Sequence, residues 1–243
     1  MPAATLKVVL LTKTPGGEEI AALAAKLCYA GSNIEDLREK VSARDQNRFL
    51  TGILSSGHLS VIEHVSFTFG IEGVSRVLLA QLTRHRIASF SVQSQRYVSY
   101  GDDLNYIIPP KIMALGEEAV MAYEHQMSQT HQWYKDWQNR LGTGEQGNED
   151  ARFVLPNACE TKLVLTMNAR ELLHFFSLRC CNRAQWEIHA MADKMLQICK
   201  KEAPALFAEA GPGCVSGKCP EGTKSCGKQI EVRNKYLNHE GMV

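Results

Sequence analysis

The sequence predicts an α+β fold, and three observations predict it. Leu6–Leu11 is a short apolar run of strand length. Val65–Ile71 alternates apolar and polar side chains with the period of a half-buried strand. Residues 111–141 carry apolar residues at helical spacing over a long stretch. At 243 residues, 44% hydrophobic and 22% charged, the chain can bury a real core. The formal net charge is +1, so no global field draws it to nucleic acid or a membrane, and an anion site must come from local clustering. No apolar run reaches the ~18 residues that span a bilayer, and the N-terminus lacks a signal-peptide layout. The eight cysteines, two of them adjacent at Cys180-Cys181, read as reduced thiols. A soluble cytoplasmic protein is expected.

In chain order, Thr14-Pro15 with Glu18-Glu19 reads as a helix start, the helix running to about Tyr29 and closed by Gly31. Asn33, Glu35 and Asp36 open a second helix that continues through Leu50 and Leu54 to Gly57. His58 and His64 bracket a turn that feeds the strand at 65–71. Residues 74–83 are apolar enough for a core helix or strand. Tyr106–Pro110, after Asp102-Asp103, ends an expected strand. The helix at 111–141 presents Met113, Met121, Met127, Trp133, Tyr134, Trp137 and Leu141, a stripe for core or subunit interface. Gly142–Asn148 is a loop, and Glu149–Pro156 a helical turn halted by proline. Cys159–Thr166 is another strand. Asn168 and Glu171 form a capping pair for a helix that buries Leu172, Leu173, Phe175, Phe176 and Leu178. Gln185-Trp186 opens a last helix to about Ala203. Arg179 and Arg183 share a face if the earlier helix continues that far. The tail from Pro204 is rich in Gly, Pro, Lys and Cys, and reads as a flexible extension or one ordered on assembly.

Chemistry concentrates in Arg84–Tyr100, which holds Arg84, His85, Arg86 and Arg96 and no Asp or Glu. Guanidiniums so gathered repel one another unless an anion joins them, and their forks fit phosphate oxygens in pairs. No metal is expected. His58-x5-His64 with Glu63 matches no standard ligand spacing, and Cys214-x4-Cys219-x6-Cys226, even with His239 as a fourth group, lacks the paired short spacings of a zinc ribbon.

Arg84-His85-Arg86, seven residues, Ser94 and then Arg96-Tyr97 resemble the signature of flavin-dependent thymidylate synthases. Further blocks agree in order: Gly57–Phe69, Gln81, Ala151–Pro156, and Asn168-Ala169-Arg170 through Arg179 to Glu187. The resemblance implies a mainly antiparallel sheet flanked by long helices over residues 1–205, with 206–243 as a Gly/Cys/Lys-rich extension. It implies reductive methylation of dUMP to dTMP, using methylenetetrahydrofolate as carbon donor and FAD reduced by NADPH, in a homotetramer whose sites are shared between subunits. His58, Arg84, His85, Arg86, Asn168 and His174 would contact FAD. Gln81, Gln93, Ser94, Gln95, Arg96, Arg152 and Arg179 would hold dUMP, with Arg179 stabilising negative charge on the uracil oxygens. Three positions depart from the pattern: Val92 stands where Glu or Gln is usual, Arg183 where some relatives carry His, and Cys28 where a Ser can touch flavin. No cysteine nucleophile is implied, and Ser94 reads as a binding residue. The competing reading is a phosphate-ligand or RNA-binding module that uses Arg84–Arg96 with Phe90, Tyr97 and Tyr100 for stacking. The near-zero net charge counts against it, and no nucleic-acid or membrane partner is expected.

Overall fold

The computed structural model describes residues 3–101 and 103–237. Its elements are β1 Lys7–Lys13, α1 Gly17–Leu27, α2 Ile34–Ser42, α3 Asn47–Ser55, a 3₁₀ turn Leu59–His64, β2 Ser66–Ser75, α4 Arg76–Leu82, β3 Ala88–Val92, α5 Pro110–Met113, α6 Glu117–Leu141, α7 Glu145–Ala151, a 3₁₀ turn Arg152–Val154, β4 Glu160–Asn168, α8 Ala169–Arg179, α9 Trp186–Glu202, α10 Pro204–Phe207, a 3₁₀ turn Gly222–Lys224 and α11 Gln229–Leu237. The four strands form one antiparallel sheet in the order β1-β2-β4-β3, and the α+β expectation holds. Among the described residues no helix is long and apolar enough to cross a membrane.

Several boundaries differ from the sequence reading, each for a local reason. Thr14 does not cap α1, which is capped by Gly16 in a left-handed conformation; the Thr14 hydroxyl accepts the Ser66 N–H instead. The helix expected from Asn33 to Gly57 is two helices. The Gln46 amide donates to the carbonyls of Val41 and Arg44 and closes α2, while Asp45 accepts the Asn47 N–H and starts α3. The long helix breaks between α5 and α6 at Gly116, φ 99°. Its buried face is Met127, His131, Tyr134 and Gln138. Met113, Met121, Trp133, Trp137 and Leu141 are exposed instead. The strand expected to end at Pro110 is reduced to Tyr106, which bridges Ala3 and Cys159; Asp102 lies outside the described residues. Half of the 142–148 loop is α7, and β3 falls inside the cationic segment.

By contacts the chain divides into two compact units. One holds the residues up to Val9 with Gly70–Arg84 and Phe90–Val164; the other holds Leu10–Phe69, His85–Ser89 and the chain from Leu165 onward. The core of the first is Tyr100, Leu104, Tyr134, Ala151 and Cys159, with Val154 and Leu155 against it. In this unit Gly73 has φ +70°, and a Cβ there would lie 1.9 Å from the Thr5 carbonyl oxygen, so only glycine fits. The second unit is centred on aromatic edge-to-face pairs. Phe207 packs on Phe67 and Phe176, which packs in turn on Phe175. Asn168 and Gln185 cap α8 and α9 as expected, accepting from Glu171 N–H and from Glu187 and Ile188 N–H. Leu178, expected inside, is exposed. Helix α8 ends at Arg179, so Arg183 does not share its face: it pairs with Glu221 and donates to the Lys224 carbonyl. The described part of the tail is packed rather than loose. Lys235 and Tyr236 of α11 both donate to Asp193 of α9, and Lys200 donates to the Tyr236 carbonyl.

Candidate functional site

The predicted site residues fall into two groups, one in each unit. In the first unit α4 is started by Ser75, whose hydroxyl accepts the Leu78 N–H, and it carries the half-buried Gln81 toward the exposed Arg84. The chain then re-enters the sheet as β3. The Gln93 N–H donates to the Lys162 carbonyl, and the Gln93 carbonyl accepts from Arg76 Nη2 at 2.9 Å. Gln93 is thus held in place by its backbone. Ser94 makes a local turn, its hydroxyl accepting the N–H groups of Arg96 and Tyr97. Gln95 sits half-buried between Ser94 and Arg96.

Arg96 departs from expectation. The stretch 84–100 has no acid of its own, but acids distant in sequence supply one: Arg96 Nη2 lies 2.5 Å from Glu145 and Nε 2.9 Å from Glu149. Its carbonyl accepts from Asn148 Nδ2, and Asn148 is locked by Gln138 and Tyr134. The guanidinium is therefore positioned before any ligand arrives. Arg152 donates through Nε to the Glu149 carbonyl at 3.0 Å, not to a carboxylate. Tyr100, offered by the RNA reading as a stacking platform, is buried against Tyr134 and cannot serve as one.

In the second unit α8 sets the geometry. Asn168 spends its side-chain oxygen as the cap of this helix, which leaves its amide N–H₂. Three residues on, Glu171 turns its carboxylate to His85: Nδ1 to Oε1 is 3.2 Å, with both side chains almost fully buried. From the last turn of the same helix Arg179 Nε donates to His85 Nε2 at 3.0 Å. Because an arginine only donates, Nε2 must accept, so the imidazole is neutral with its proton on Nδ1 toward Glu171. The His85 pKa is pushed below the usual histidine value by burial first. Arg179 adds to this and the Glu171 bond works against it. Glu171–His85–Arg179 is a relay that fixes the guanidinium of Arg179.

Arg86 and His174 are exposed, and the His174 ring lies 6.2 Å from that of His85. His58 is exposed at the start of the Leu59–His64 turn. Glu63 of that turn pairs with Arg170, consistent with a supporting role. Among the described residues neither Arg84 nor Arg86 has an ion-pair partner, and no group of three or more His, Cys, Asp or Glu is arranged to hold a metal; His239 lies outside them. Burial pushes the Cys159 thiol up to about 12 and raises Cys180 and Cys199 as well, so these are poor nucleophiles. Sequence reasoning missed Glu145 and Glu149 as the partners of Arg96. It named Glu171 only as a capping residue. In a capping box that carboxylate would reach back to the cap N–H, and its buried histidine partner stands 86 positions away.

Fold and side chains together define an α+β protein in which Arg96, Arg152 and Arg179 are held in place by hydrogen bonds and ion pairs. The chain belongs to the thymidylate synthase complementing protein family, whose model matches residues 9–205. It is 53% identical to a protein of Geobacter sulfurreducens, over 95% of this chain and 98% of that one, and 49% identical to one of Clostridium tetani, over 96% and 97%. A Pyrococcus furiosus relative is 42% identical over 89% of this chain and 90% of its own. All three are named flavin-dependent thymidylate synthase.

Proposed function

We propose that this chain converts dUMP to dTMP by reductive methylation, with methylenetetrahydrofolate as carbon donor and NADPH as the source of hydride by way of FAD. The observation that carries the reading is identity of 42–53% over nearly the whole chain to proteins named for that activity. The catalytic domain is assigned to residues 1–205 and the extension to 206–243, in a cytoplasmic homotetramer. The exposed apolar side chains of α6, Trp133, Trp137, Met121 and Leu141, support assembly, since water-facing tryptophans gain most from a partner surface.

For dUMP, Arg96 and Arg152 suit the 5′-phosphate. Gln81, Gln93, Ser94 and Gln95 supply neutral hydrogen-bonding groups around it. Arg179 is assigned to the base: negative charge develops at the uracil oxygens when C5 becomes nucleophilic or C6 accepts hydride. A guanidinium already fixed by His85 stabilises that charge without reorganising. Toward FAD, the exposed Arg84 and Arg86, without ion-pair partners among the described residues, suit its diphosphate, exposed His58 and His174 and the remaining amide of Asn168 can meet its polar edges, and His85 acts through Arg179. Bound FAD supplies the hydride chemistry, and the chain supplies placement and charge.

Flavin absorbance tests this. Purified protein should be yellow or become so with added FAD. Arg84→Ala should lose FAD on gel filtration, whereas Arg179→Ala should keep FAD yet make no dTMP. Protein that ignores FAD, or exchanged phenotypes for the two variants, would overturn the reading.

A further inference from the structure

The proposed chemistry uses no thiol, yet the chain holds eight cysteines, all of them free. Four of these, Cys181, Cys214, Cys219 and Cys226, lie on two segments that pack together. Beyond the end of α8 the chain runs through Cys181, Asn182 and Arg183, and the tail segment 213–226 folds back onto it. Gly213 N–H donates to the Ser177 carbonyl at 3.1 Å. Pro220 packs so tightly on Gly213 that a Cβ there would lie 3.0 Å from its ring. Arg183 donates to the Lys224 carbonyl at 2.7 Å and pairs with Glu221. The Asn182 amide lies 3.8 Å from Cys226 Sγ.

These contacts lay the segment that carries Cys214, Cys219 and Cys226 against the chain just after Cys181; burial raises the Cys214 pKa first, and Cys219, Cys181 and Cys226 add to it. The four differ in accessibility. Cys214 is buried, Cys181 and Cys219 are partly exposed, and Cys226 is exposed. The cluster is not a ready-made zinc cage, because among the described residues no three ligands are arranged for one ion.

We infer that Cys181 and Cys226 are a reversible thiol–disulfide pair that ties the C-terminal segment to the end of α8, with a small-molecule disulfide as oxidant. The exposed Cys226 reacts first: its thiolate attacks one sulfur of the small disulfide, the S–S bond breaks, and the other half leaves as a thiolate. The Cys181 thiolate then attacks Cys226 Sγ and expels the second half. Two cysteine thiols lose two protons and two electrons, and the small disulfide takes them up and departs as two thiols. A dithiol reverses the exchange. The bond closes a long loop and pins the tail that Lys235 and Tyr236 already dock on Asp193, so the oxidised chain melts higher.

The test treats the full chain with oxidised glutathione, blocks the remaining thiols and digests with trypsin, which releases residues 180–183 and 225–228 as separate peptides. The expected product is those two peptides joined, lighter by two hydrogens than their sum. It should be absent in Cys181→Ser and Cys226→Ser and retained in Cys180→Ser. The melting temperature should rise on oxidation and return with dithiothreitol. Because position 226 is exposed, Cys226→Ser answers the question even if Cys181→Ser does not fold. Glutathione adducts without the cross-link would overturn the inference. So would a Cys219–Cys226 bond that survives in Cys181→Ser, or co-purified zinc that shields all four thiols until a chelator is added.

Discussion

Replacing His85 with phenylalanine keeps the volume and the edge contact with Phe175 but removes both ends of the Glu171–His85–Arg179 relay. The cost follows from what is stranded. The Glu171 side chain is only 7% exposed and loses a bond worth about 2 kcal/mol, as hydrogen bonds to charged groups are. Arg179 is partly exposed, so water recovers part of its loss, leaving about 1 kcal/mol. The variant should therefore be about 3 kcal/mol less stable in urea at pH 7.5, with no cavity contribution. A purely structural role would stop there. The relay also predicts that kcat falls more than 10-fold while FAD retention is unchanged, and that His85→Gln, which can donate at one end and accept at the other, recovers part of it. The pH dependence has a definite sign. The folded-state pKa of His85 lies below its unfolded value, so its contribution is complete above about pH 6.5 and fades as pH falls through the lowered folded value. The gap between wild type and His85→Phe should narrow on acidification. A variant within ~0.5 kcal/mol of wild type at pH 7.5, with unchanged kcat, would refute the relay.

Glu145→Gln should change stability by less than ~1 kcal/mol, because the Arg96 pairs are 42–47% exposed. It should lower the KM for dUMP roughly 2–5-fold by removing an acid that competes with the phosphate, an effect that shrinks as salt rises. Gly73→Ala should cost about 3 kcal/mol or more in chemical denaturation, since the new methyl meets the Thr5 carbonyl. Burial alone would raise the Asp193 pKa, but bonds from His189, Lys235 and Tyr236 outweigh it and hold it at about 2. The resulting stabilisation is present above about pH 4 and is lost as pH falls through about 2, so Asp193→Asn should cost about 2 kcal/mol at pH 7 in thermal or urea unfolding.

Strands β1, β2 and β4 and the helix starts at Asn33, Asn168 and Gln185 were legible because alternation and capping are local, whereas β3 lay hidden in the cationic segment and the strand expected at 106–110 is a single bridge. What broke the longer helices was also local but weaker: a glutamine side chain closing α2, and a glycine at 116 that the helical period alone does not reveal. The cationic segment was legible as chemistry but not as electrostatics. The absence of acids between Arg84 and Tyr100 pointed to an external anion, whereas Arg96 meets Glu145 and Glu149 through tertiary packing. His85 shows the same limit. Its place in the motif marked it for the flavin, and only the fold shows that both ring nitrogens are engaged by groups 86 and 94 positions away. The packing of the tail segment on Asn182 and Arg183 needed the fold, since 41 to 44 positions separate them in sequence.

The most direct measurement is dTMP formation by the purified chain from dUMP, methylenetetrahydrofolate, NADPH and FAD, each omitted in turn. dTMP should form only in the complete mixture, and Arg179→Ala should form none. Product formed without FAD, or no product from a folded, FAD-loaded chain, would contradict it.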